Sequence, residues 1–304
     1  MSQVKIQSER SASNDRIRQI FSAAPLRITI IVIALLWTIP SIGLLITSFR
    51  HPDAIQTSGW WTVFQHPFEL SQYTIRNYQQ VILADGMGEA FLNSLLVTIP
   101  AVVIPITIAA FAAYAFAWLE FPGRSFFFVV VVGLMVVPLQ MALIPLLSLY
   151  VNINDLIGIK LNGEFLGVWL AHTGFGLPLA IFLLFGYMST LPAEIMESAY
   201  VDGASPLTTF IRLVLPLSVP VIASFAIFQF LWVWNDLLVA LVFLGTNPEK
   251  TVLTARLSAL VGERGQDWHV LTSGAFLTMI LPLIVFFALQ RYFVRGLTAG
   301  SVKG

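Results

Sequence analysis

Six long apolar runs dominate the pattern of this chain, and each is bounded by charged or turn-forming residues. Their lengths approach or exceed the roughly 20 residues that a helix needs to cross a hydrocarbon layer about 30 Å thick. The runs cover residues 28–49, 91–119, 126–150, 165–188, 219–244 and 273–293. The pattern predicts an all-α, polytopic membrane protein with six transmembrane helices.

Composition supports a chain that folds in a bilayer. Hydrophobic residues occupy 57% of the 304 positions and charged residues only 11%, against about 25% charged residues in a soluble domain. The 16 basic side chains balance 16 acidic ones, so there is no bulk positive surface for nucleic acid. Cysteine is absent and the four histidines are scattered, which excludes thiolate chemistry and predicts no metal site.

Basic residues indicate the orientation of the six helices. Cytoplasmic connections carry the excess of Lys and Arg, so the N-terminal side, with ten of the 16, is predicted to be cytoplasmic. The predicted organisation is a cytoplasmic N-terminal segment over 1–27, a transmembrane domain over 28–293 and a cytoplasmic C-terminal tail over 294–304. The polar connection 189–217 then lies in the cytoplasm. The aromatic-rich connection 50–90 lies outside, with a composition that suits the lipid headgroups.

The polar connection 189–217 predicts a short helix, a turn and a second short helix. Pro192 suits a helix start, and Glu194 and Glu197 complement the positive end of that helix. Gly203 permits a left-handed turn, after which Pro206 can open a second helix that runs to Leu215. One apolar face of the first helix is predicted to carry Ile195, Met196, Ala199 and Tyr200.

The same connection resembles the EAA loop of permease subunits of bacterial ATP-binding-cassette (ABC) importers. The matching residues are Glu197, Ala199, Asp202, Gly203, Ala204, Phe210, Leu213, Leu215 and Pro216. Ser198 stands where the family usually has alanine, and Leu213 where isoleucine is common. In that family the loop forms a coupling helix that inserts into a cleft of the ATPase subunit. The resemblance therefore implies coupling roles for Glu197, Ser198, Ala199, Asp202, Gly203, Ala204 and Pro216.

Further motifs from Tyr73 to Gly304 look like the carbohydrate-uptake branch, in particular the smaller maltose-type permease. They are Asn77-Tyr78, Asn93-Ser94, Pro138-Leu-Gln140 with Pro145, Trp234-Asn235-Asp236 and the ending 290–300. The resemblance implies the type I importer permease fold in a bacterial inner membrane. It also implies three partners, namely a second, different permease, an ATPase dimer and an external sugar-binding protein. The implied substrate is a di- or oligosaccharide or an α-glucoside.

Nucleotide chemistry is expected on another polypeptide. The chain contains no G-x-x-x-x-G-K-[ST] loop that could cradle phosphates. We therefore expect ATP and Mg²⁺ to be bound by the partner ATPase, with no cofactor in this chain and no enzymatic activity of its own. The C-terminal tail lies on the side from which it could reach that ATPase.

Polar and aromatic residues within the apolar runs are candidates for a substrate path. Asp236 is an acidic residue within a predicted span, about 26 Å along it and near the outer boundary. Together with Trp232, Trp234 and Asn235 it could line a sugar site, or these residues could form an interfacial aromatic belt. Gln140 lies between Pro138 and Pro145, where a broken helix could expose backbone carbonyls to a water-filled path. Gln229 is a second candidate, nearer the midplane, and each has a packing role as the alternative. His172 is predicted to be structural, because no partner for a proton relay is visible in the sequence.

Two other hypotheses remain at this stage. A self-contained secondary transporter or channel would be expected to have paired intramembrane charges or internal repeats. A membrane enzyme would need a nucleophile, a base or a metal cluster near the interface. The sequence favours the importer subunit over both.

Overall fold

The computed structural model describes residues 2–245, 247–263 and 267–299, with side chains described for 24–245, 247–262 and 267–290. These residues are helical almost throughout. They form no β-strand, and a single antiparallel bridge joins Arg50 to Tyr73. The fold is the all-α fold expected from the sequence.

The long helices are α1 (Ser2–Phe49), α4 (Met87–Trp118), α5 (Arg124–Leu134), α6 (Leu139–Ile157), α7 (Phe165–Met188), α11 (Val219–Trp234), α13 (Leu253–Glu263) and α14 (Trp268–Ala299). The short helices are α2 (Pro52–Thr57), α3 (Arg76–Gln79), α8 (Ala193–Val201), α9 (Pro206–Thr209), α10 (Leu215–Leu217) and α12 (Leu238–Leu244). Tighter 3₁₀ turns occupy Trp60–Gln65, Leu70–Gln72 and Pro248–Lys250, and wider π turns occupy Gln80–Ala84 and Phe210–Val214.

Five helices are long and apolar enough to cross a membrane. They are Ala24–Phe49, Met87–Trp118, Leu139–Ile157, Phe165–Met188 and Trp268–Gln290. The helical segments Pro206–Leu217 and Val219–Trp234 meet at 71° and bring the count to six when the bent pair is taken as one span. The six predicted transmembrane helices agree with the upper end of this count of five to six.

The third apolar run is not one continuous helix, contrary to the prediction for 126–150. Helix α5 ends at Leu134, and α6 begins only after Pro138, which has an extended backbone (φ −63°, ψ 129°). Proline has no N–H to donate, and its ring disfavours a helical conformation of the residue before it. The apolar run therefore holds an 11-residue helix followed by a 19-residue one.

The fifth apolar run is also shorter than predicted, because α11 ends at Trp234 and not at residue 244. Asp236 lies in the break. Its carboxylate accepts hydrogen bonds from the backbone N–H groups of Val239 (3.3 Å) and Ala240 (3.0 Å), and so caps the start of α12. Asp236 thus lies between two helices and not inside a span.

The core of residues 78–245, 247–263 and 274–299 is built around α4 and α7. Small buried residues, including Ala101, Ala109, Ala113, Ala171 and Ala180, let these helices approach closely. One apolar cluster surrounds Tyr150 and Phe243, and another surrounds Leu184, Phe210 and Phe225. The second cluster includes Met196 of α8, so it ties the short polar helices to the transmembrane helices.

Residues 2–77 and 267–273 form a separate compact unit. Its centre is Arg50, whose guanidinium group donates to the carbonyls of Ala54 and Ser58, both at 3.0 Å. Asn77 donates to the carbonyls of Ser48 (2.9 Å) and Arg50 (2.8 Å), which explains the local role of the Asn77-Tyr78 motif. Trp61, Phe64 and Phe68 of the same unit are exposed. Their proposed position among lipid headgroups stays a prediction.

The predicted terminal segments are described only in part. Residues 2–27 belong to α1, and α14 continues through Ala299. The remainder of the predicted tail, 300–304, lies outside the described residues. The orientation of both termini stays a prediction.

Candidate functional site

Helix α8 has one polar, exposed face and one apolar face that packs against the core. It begins after Pro192, with Glu194 in its first turn, as the sequence predicts. Met196 and Ala199 are buried against the core, whereas Tyr200 is 50% exposed and Val201 is 87% exposed. The predicted apolar face is therefore wrong at Tyr200. The two predicted pairs, Ile195 with Ala199 and Met196 with Tyr200, lie four apart, whereas the two buried residues, Met196 and Ala199, lie three apart.

The turn after α8 is a Schellman motif centred on Gly203. Gly203 has φ +73°, and its N–H donates to the carbonyl of Tyr200 at 3.0 Å. The N–H of Ala204 donates to the carbonyl of Ala199 at 2.9 Å, which completes the two-bond pattern of this helix end. A Cβ atom at Gly203 would meet nothing within 4 Å. Glycine is needed here for its backbone conformation and not for space.

The second short helix is locked onto α4. The Ser205 hydroxyl accepts from the N–H of Thr208 (3.2 Å) and caps α9. Phe210 is buried, with its ring 4.7 Å from that of Phe111 and 5.1 Å from that of Tyr114. The Tyr114 hydroxyl donates to the carbonyl of Pro206 at 3.0 Å. Because of these contacts, a displacement of this segment would also displace α4.

Two further hydrogen bonds lie at the two ends of this connection, the first between α4 and the last residue of α7, the second between α7 and the last residue of the connection. The Trp118 indole of α4 donates to the carbonyl of Met188 (3.0 Å), and the Tyr187 hydroxyl of α7 donates to the carbonyl of Leu217 (3.1 Å). Residues 189–217 are thus held at several points.

The outer face of α8 is a shallow, acidic groove. Its lining residues are Glu194, Glu197, Ser198, Val201 and Asp202. The predicted coupling residues Ala204 and Pro216 follow it, the first half-buried and the second exposed. The exposed carboxylates of α8 lie beside the exposed side chains of Tyr200 and Val201. Such a face can bind a groove on a partner protein that is apolar at its centre and basic at its rim.

Two predicted path residues are buried in helix packing. The amide of Gln229 donates to the carbonyl of Ala101 at 3.2 Å, and Gly176 leaves the space that this side chain fills. Trp234 donates from its indole N–H to the carbonyl of Thr278 (2.9 Å). In this conformation both join transmembrane helices, so their place in a substrate path stays a prediction.

The remaining path candidates are more accessible. Trp232 lines an apolar cavity of about 710 Å³ that lies between the α5–α6 break, α7 and α11. Phe175, Pro178 and Pro145 also line it. Gln140 is exposed in the first turn of α6, beside the lining residue Leu139. Asn235 is exposed, and its amide donates to the carbonyl of Leu231 (2.7 Å).

His172 and Asp236 come together, which the sequence did not predict. The His172 Nε2 atom lies 3.8 Å from Asp236 Oδ2, and the His172 side chain is 1% exposed. An acidic group therefore lies near His172, but at this distance it accepts no direct hydrogen bond from the ring, and the structural role of His172 stays a prediction. The two residues are 64 positions apart, and only the packing of α7 against α11 brings them together.

The Asn93-Ser94 motif clamps the segment before α13. Asn93 donates to the carbonyls of Glu249 (2.9 Å) and Thr251 (3.1 Å). The Ser94 hydroxyl accepts from the N–H of Leu253 at 2.7 Å. The motif has a structural explanation in this fold.

The clamped segment borders a second, more polar cavity of about 420 Å³. Glu89, Lys250 and Arg256 contribute its charged groups. The Lys250 ammonium donates to the carboxylate of Glu164 and holds the pKa of that carboxyl below its usual value. Within the described residues, no cluster of three or more His, Asp or Glu side chains could hold a metal ion.

Comparisons with known proteins agree with this architecture. A family model described as "Binding-protein-dependent transport system inner membrane component" matches residues 90–299. The chain is 56% identical to the osmoprotective compounds uptake permease protein GgtD of Synechocystis sp., over 97% of each chain. It is 46% identical to the alpha-glucoside transport system permease protein AglG of Rhizobium meliloti, over 91% of this chain and 96% of that protein.

The fold is also similar to that of solved transporter chains. One belongs to a bacterial ABC transporter involved in the import of the acidic polysaccharide alginate. The TM-score is 0.65 at 14% sequence identity, covering 91% of this chain and 98% of that chain. A second belongs to a bacterial alginate ABC transporter in complex with an alginate pentasaccharide-bound periplasmic protein. The TM-score is 0.64, covering 90% and 94%.

Proposed function

The chain belongs to the family of inner-membrane components of binding-protein-dependent transport systems, and we propose that it is a permease subunit of an ATP-driven importer of α-glucosides or related di- and oligosaccharides. The two relatives named above, an alpha-glucoside permease and an osmoprotective-compound permease, support this substrate class. A trehalose transport permease of Mycobacterium tuberculosis, 33% identical over 77% of this chain, supports it as well. Family membership favours this function over a self-contained secondary transporter or channel.

The main observation in support of the proposal is that helix α8 is exposed on one face and anchored in the core on the other. An exposed acidic face on a short helix, anchored through Met196 and Phe210 into the transmembrane core, suits docking to another protein's groove. The partner that fits is an ABC ATPase dimer, which would bind ATP and Mg²⁺ because this chain has no phosphate-binding loop. The docking residues we propose are Glu197, Ser198, Ala199, Asp202, Gly203, Ala204 and Pro216.

Transport would proceed by alternating access without covalent chemistry in this chain. Closure of the ATPase dimer on ATP displaces α8 together with the Gly203 turn. The buried contacts of Phe210 with Tyr114 and the hydrogen bond from Tyr187 pass that displacement to α4 and α7. Because the core is built around α4 and α7, their movement opens the path on one side of the membrane and closes it on the other.

The substrate path is proposed along the cavity that Trp232 lines. An aromatic ring can stack on the apolar face of a sugar, while Gln140 and Asn235 offer hydrogen bonds to hydroxyls. A second, different permease would supply the other half of the path, and an external sugar-binding protein would deliver the substrate. The bias of basic residues supports cytoplasmic termini in a bacterial inner membrane.

The test is to tag the chain in its native membrane, extract it gently and identify what co-purifies by mass spectrometry. We expect a P-loop ATPase and a second permease in fixed ratio to this chain. A variant with Glu194, Glu197 and Asp202 all changed to Gln or Asn should lose the ATPase and retain the second permease. Purification of the chain alone, stable and monodisperse, would contradict the proposal.

A further inference from the structure

Four buried polar side chains converge where α4, α7 and the break between α11 and α12 meet. They are Ser94 and Thr98 of α4, His172 of α7 and Asp236 of the break. Ser94, Thr98 and His172 are nearly inaccessible to solvent, and the Asp236 side chain is 11% exposed. Such a group of polar side chains inside an apolar bundle calls for an explanation of its hydrogen bonds.

The hydrogen bonds of this group are incomplete. Neither ring nitrogen of His172, nor the hydroxyl of Thr98, has a hydrogen-bond partner among the described residues. The 3.8 Å between His172 Nε2 and Asp236 Oδ2 is too long for a direct N–H···O bond. Buried polar groups without partners are costly, and a polar separation above 3.5 Å raises the question of a bridging water.

The space between these groups has the size of one water molecule. A cavity of about 10 Å³ is lined by Ser94, Thr98, His172 and Asp236 together with apolar neighbours. A single water needs about this volume and two to four polar partners. A hard metal cation would need about six oxygen ligands, whereas Asp236 already uses its two oxygens to cap α12.

We propose that this cavity binds one ordered water molecule that bridges His172, Asp236 and Thr98. The water donates a hydrogen bond to the Asp236 carboxylate. It accepts one from the Thr98 hydroxyl, and it pairs with His172 Nε2 as acceptor or donor according to the tautomer. One molecule thereby gives a partner to the Thr98 hydroxyl of α4 and to one ring nitrogen, Nε2, of His172 on α7.

The bridge makes Thr98 and His172 positioning residues for the α11–α12 break. Asp236 is also held from the other side, because its backbone carbonyl accepts from the Thr254 hydroxyl of α13 at 2.6 Å. The Trp232 ring, which lines the apolar cavity, lies 6.4 Å from the His172 ring. The water therefore connects α4 and α7 to the segment next to the proposed path; this consequence, unlike the site itself, rests on the proposed function.

The direct test is a structure of the assembled wild-type importer at a resolution that shows ordered water. We expect a density peak about 2.7–3.2 Å from both His172 Nε2 and Asp236 Oδ2. Three results would overturn the proposal. They are an empty cavity, a direct contact between the two side chains, or a peak at metal-ligand distances that disappears with the cation. The presence of the peak does not depend on which sugar is transported.

Variants of Thr98 test the positioning role. Thr98→Val keeps the shape and removes the hydroxyl, so we expect a maximal transport rate several-fold lower at an unchanged half-saturating sugar concentration. Thr98→Ser should restore the rate because it keeps the hydroxyl. Thr107→Val is the matched control, since this exposed threonine of α4 bonds only its own helix at Val103. Equal behaviour of Thr98→Val and Thr107→Val would contradict the positioning role while leaving the proposed function intact.

Discussion

Two carboxylate-bearing interruptions of the apolar helices have opposite surroundings. At α8, Glu194, Glu197 and Asp202 line an open groove and their carboxylates face solvent. At the α11–α12 break, Asp236 is largely buried and its two oxygens accept backbone N–H groups of α12. The first set is available to a partner, whereas the second is used by the fold. A polar interruption in a membrane chain can therefore mark either a docking surface or an internal support.

Removal of the aromatic anchor beneath the docking surface should have the largest effect. Phe210→Ala empties a buried aromatic site, and such changes cost about 3–5 kcal/mol of folding free energy. We expect a markedly lower unfolding midpoint of the purified complex and loss of transport. Leu207→Ala, at a 56% exposed position of the same short helix, is the control and should change the midpoint little. Similar losses in both variants would show that Phe210 is not the anchor.

Removal of the internal carboxylate should come next. Asp236→Leu leaves the N–H groups of Val239 and Ala240 without their acceptor, at a cost of about 1–3 kcal/mol for a buried donor. We expect lower thermal stability of the complex in detergent. Asp236→Asn retains one amide oxygen as acceptor and should lose roughly half as much. If both variants were as stable as the wild type, Asp236 would not stabilise the break between α11 and α12.

A change at the Gly203 turn should affect coupling more than folding. Aspartate has room there but must adopt φ +73°, which costs about 1–2 kcal/mol. We expect Gly203→Asp to insert and assemble, while ATP hydrolysis continues without sugar uptake in proteoliposomes. Gly203→Asn tolerates the same backbone without the charge and should uncouple less. Normal uptake by Gly203→Asp would argue against a coupling role for this turn.

An exposed carboxylate on α8 should matter for docking alone. Glu197→Gln lies on the surface, where substitutions usually change stability by less than about 0.5 kcal/mol. We expect an unchanged unfolding midpoint and several-fold weaker binding of the ATPase. Glu120→Gln, another exposed carboxylate beyond the end of α4, is the matched control and should bind normally. Equal binding by both variants would remove Glu197 from the proposed interface.

The ion pair of Glu164 and Lys250 is intermediate between the exposed carboxylates of α8 and the buried Asp236. Loss of this pair should have the smallest effect on stability. Lys250 lowers the pKa of Glu164, so the pair stabilises the fold above the usual glutamate pKa, about 4.5. That contribution should be lost as the pH falls below 4.5 through the lowered folded value. Unfolding midpoints measured from pH 6 to 3 should converge for the wild type and Lys250→Met at the acid end. A constant difference across this range would contradict the linkage.

The elements that the sequence predicted best are those governed by local chemistry. The fourth span was predicted at 165–188, and the structure has Phe165–Met188, because a long apolar run bounded by polar residues has few other states in a bilayer. The helix, glycine turn and helix after Leu191 were also predicted, since Pro192, Gly203 and Pro206 act on their own neighbourhoods. The break at Asp236 was missed, because apolar residues continue on both sides of it. A broken helix near Pro138 was one of two interpretations of Gln140, although the run 126–150 was predicted as one span.

The sequence by itself determined that this protein folds in a bilayer, that it is helical, and where the apolar runs and the polar connection lie, because hydropathy and turn chemistry act over a few residues. Only the tertiary structure decided that Met196 and Ala199, not Tyr200, anchor α8. It alone brought His172 to Asp236 and enclosed Gln229 between helices. These facts depend on which helix faces pack together across more than fifty positions of chain. That packing is set by the summed contacts of many small residues, and no local motif encodes it.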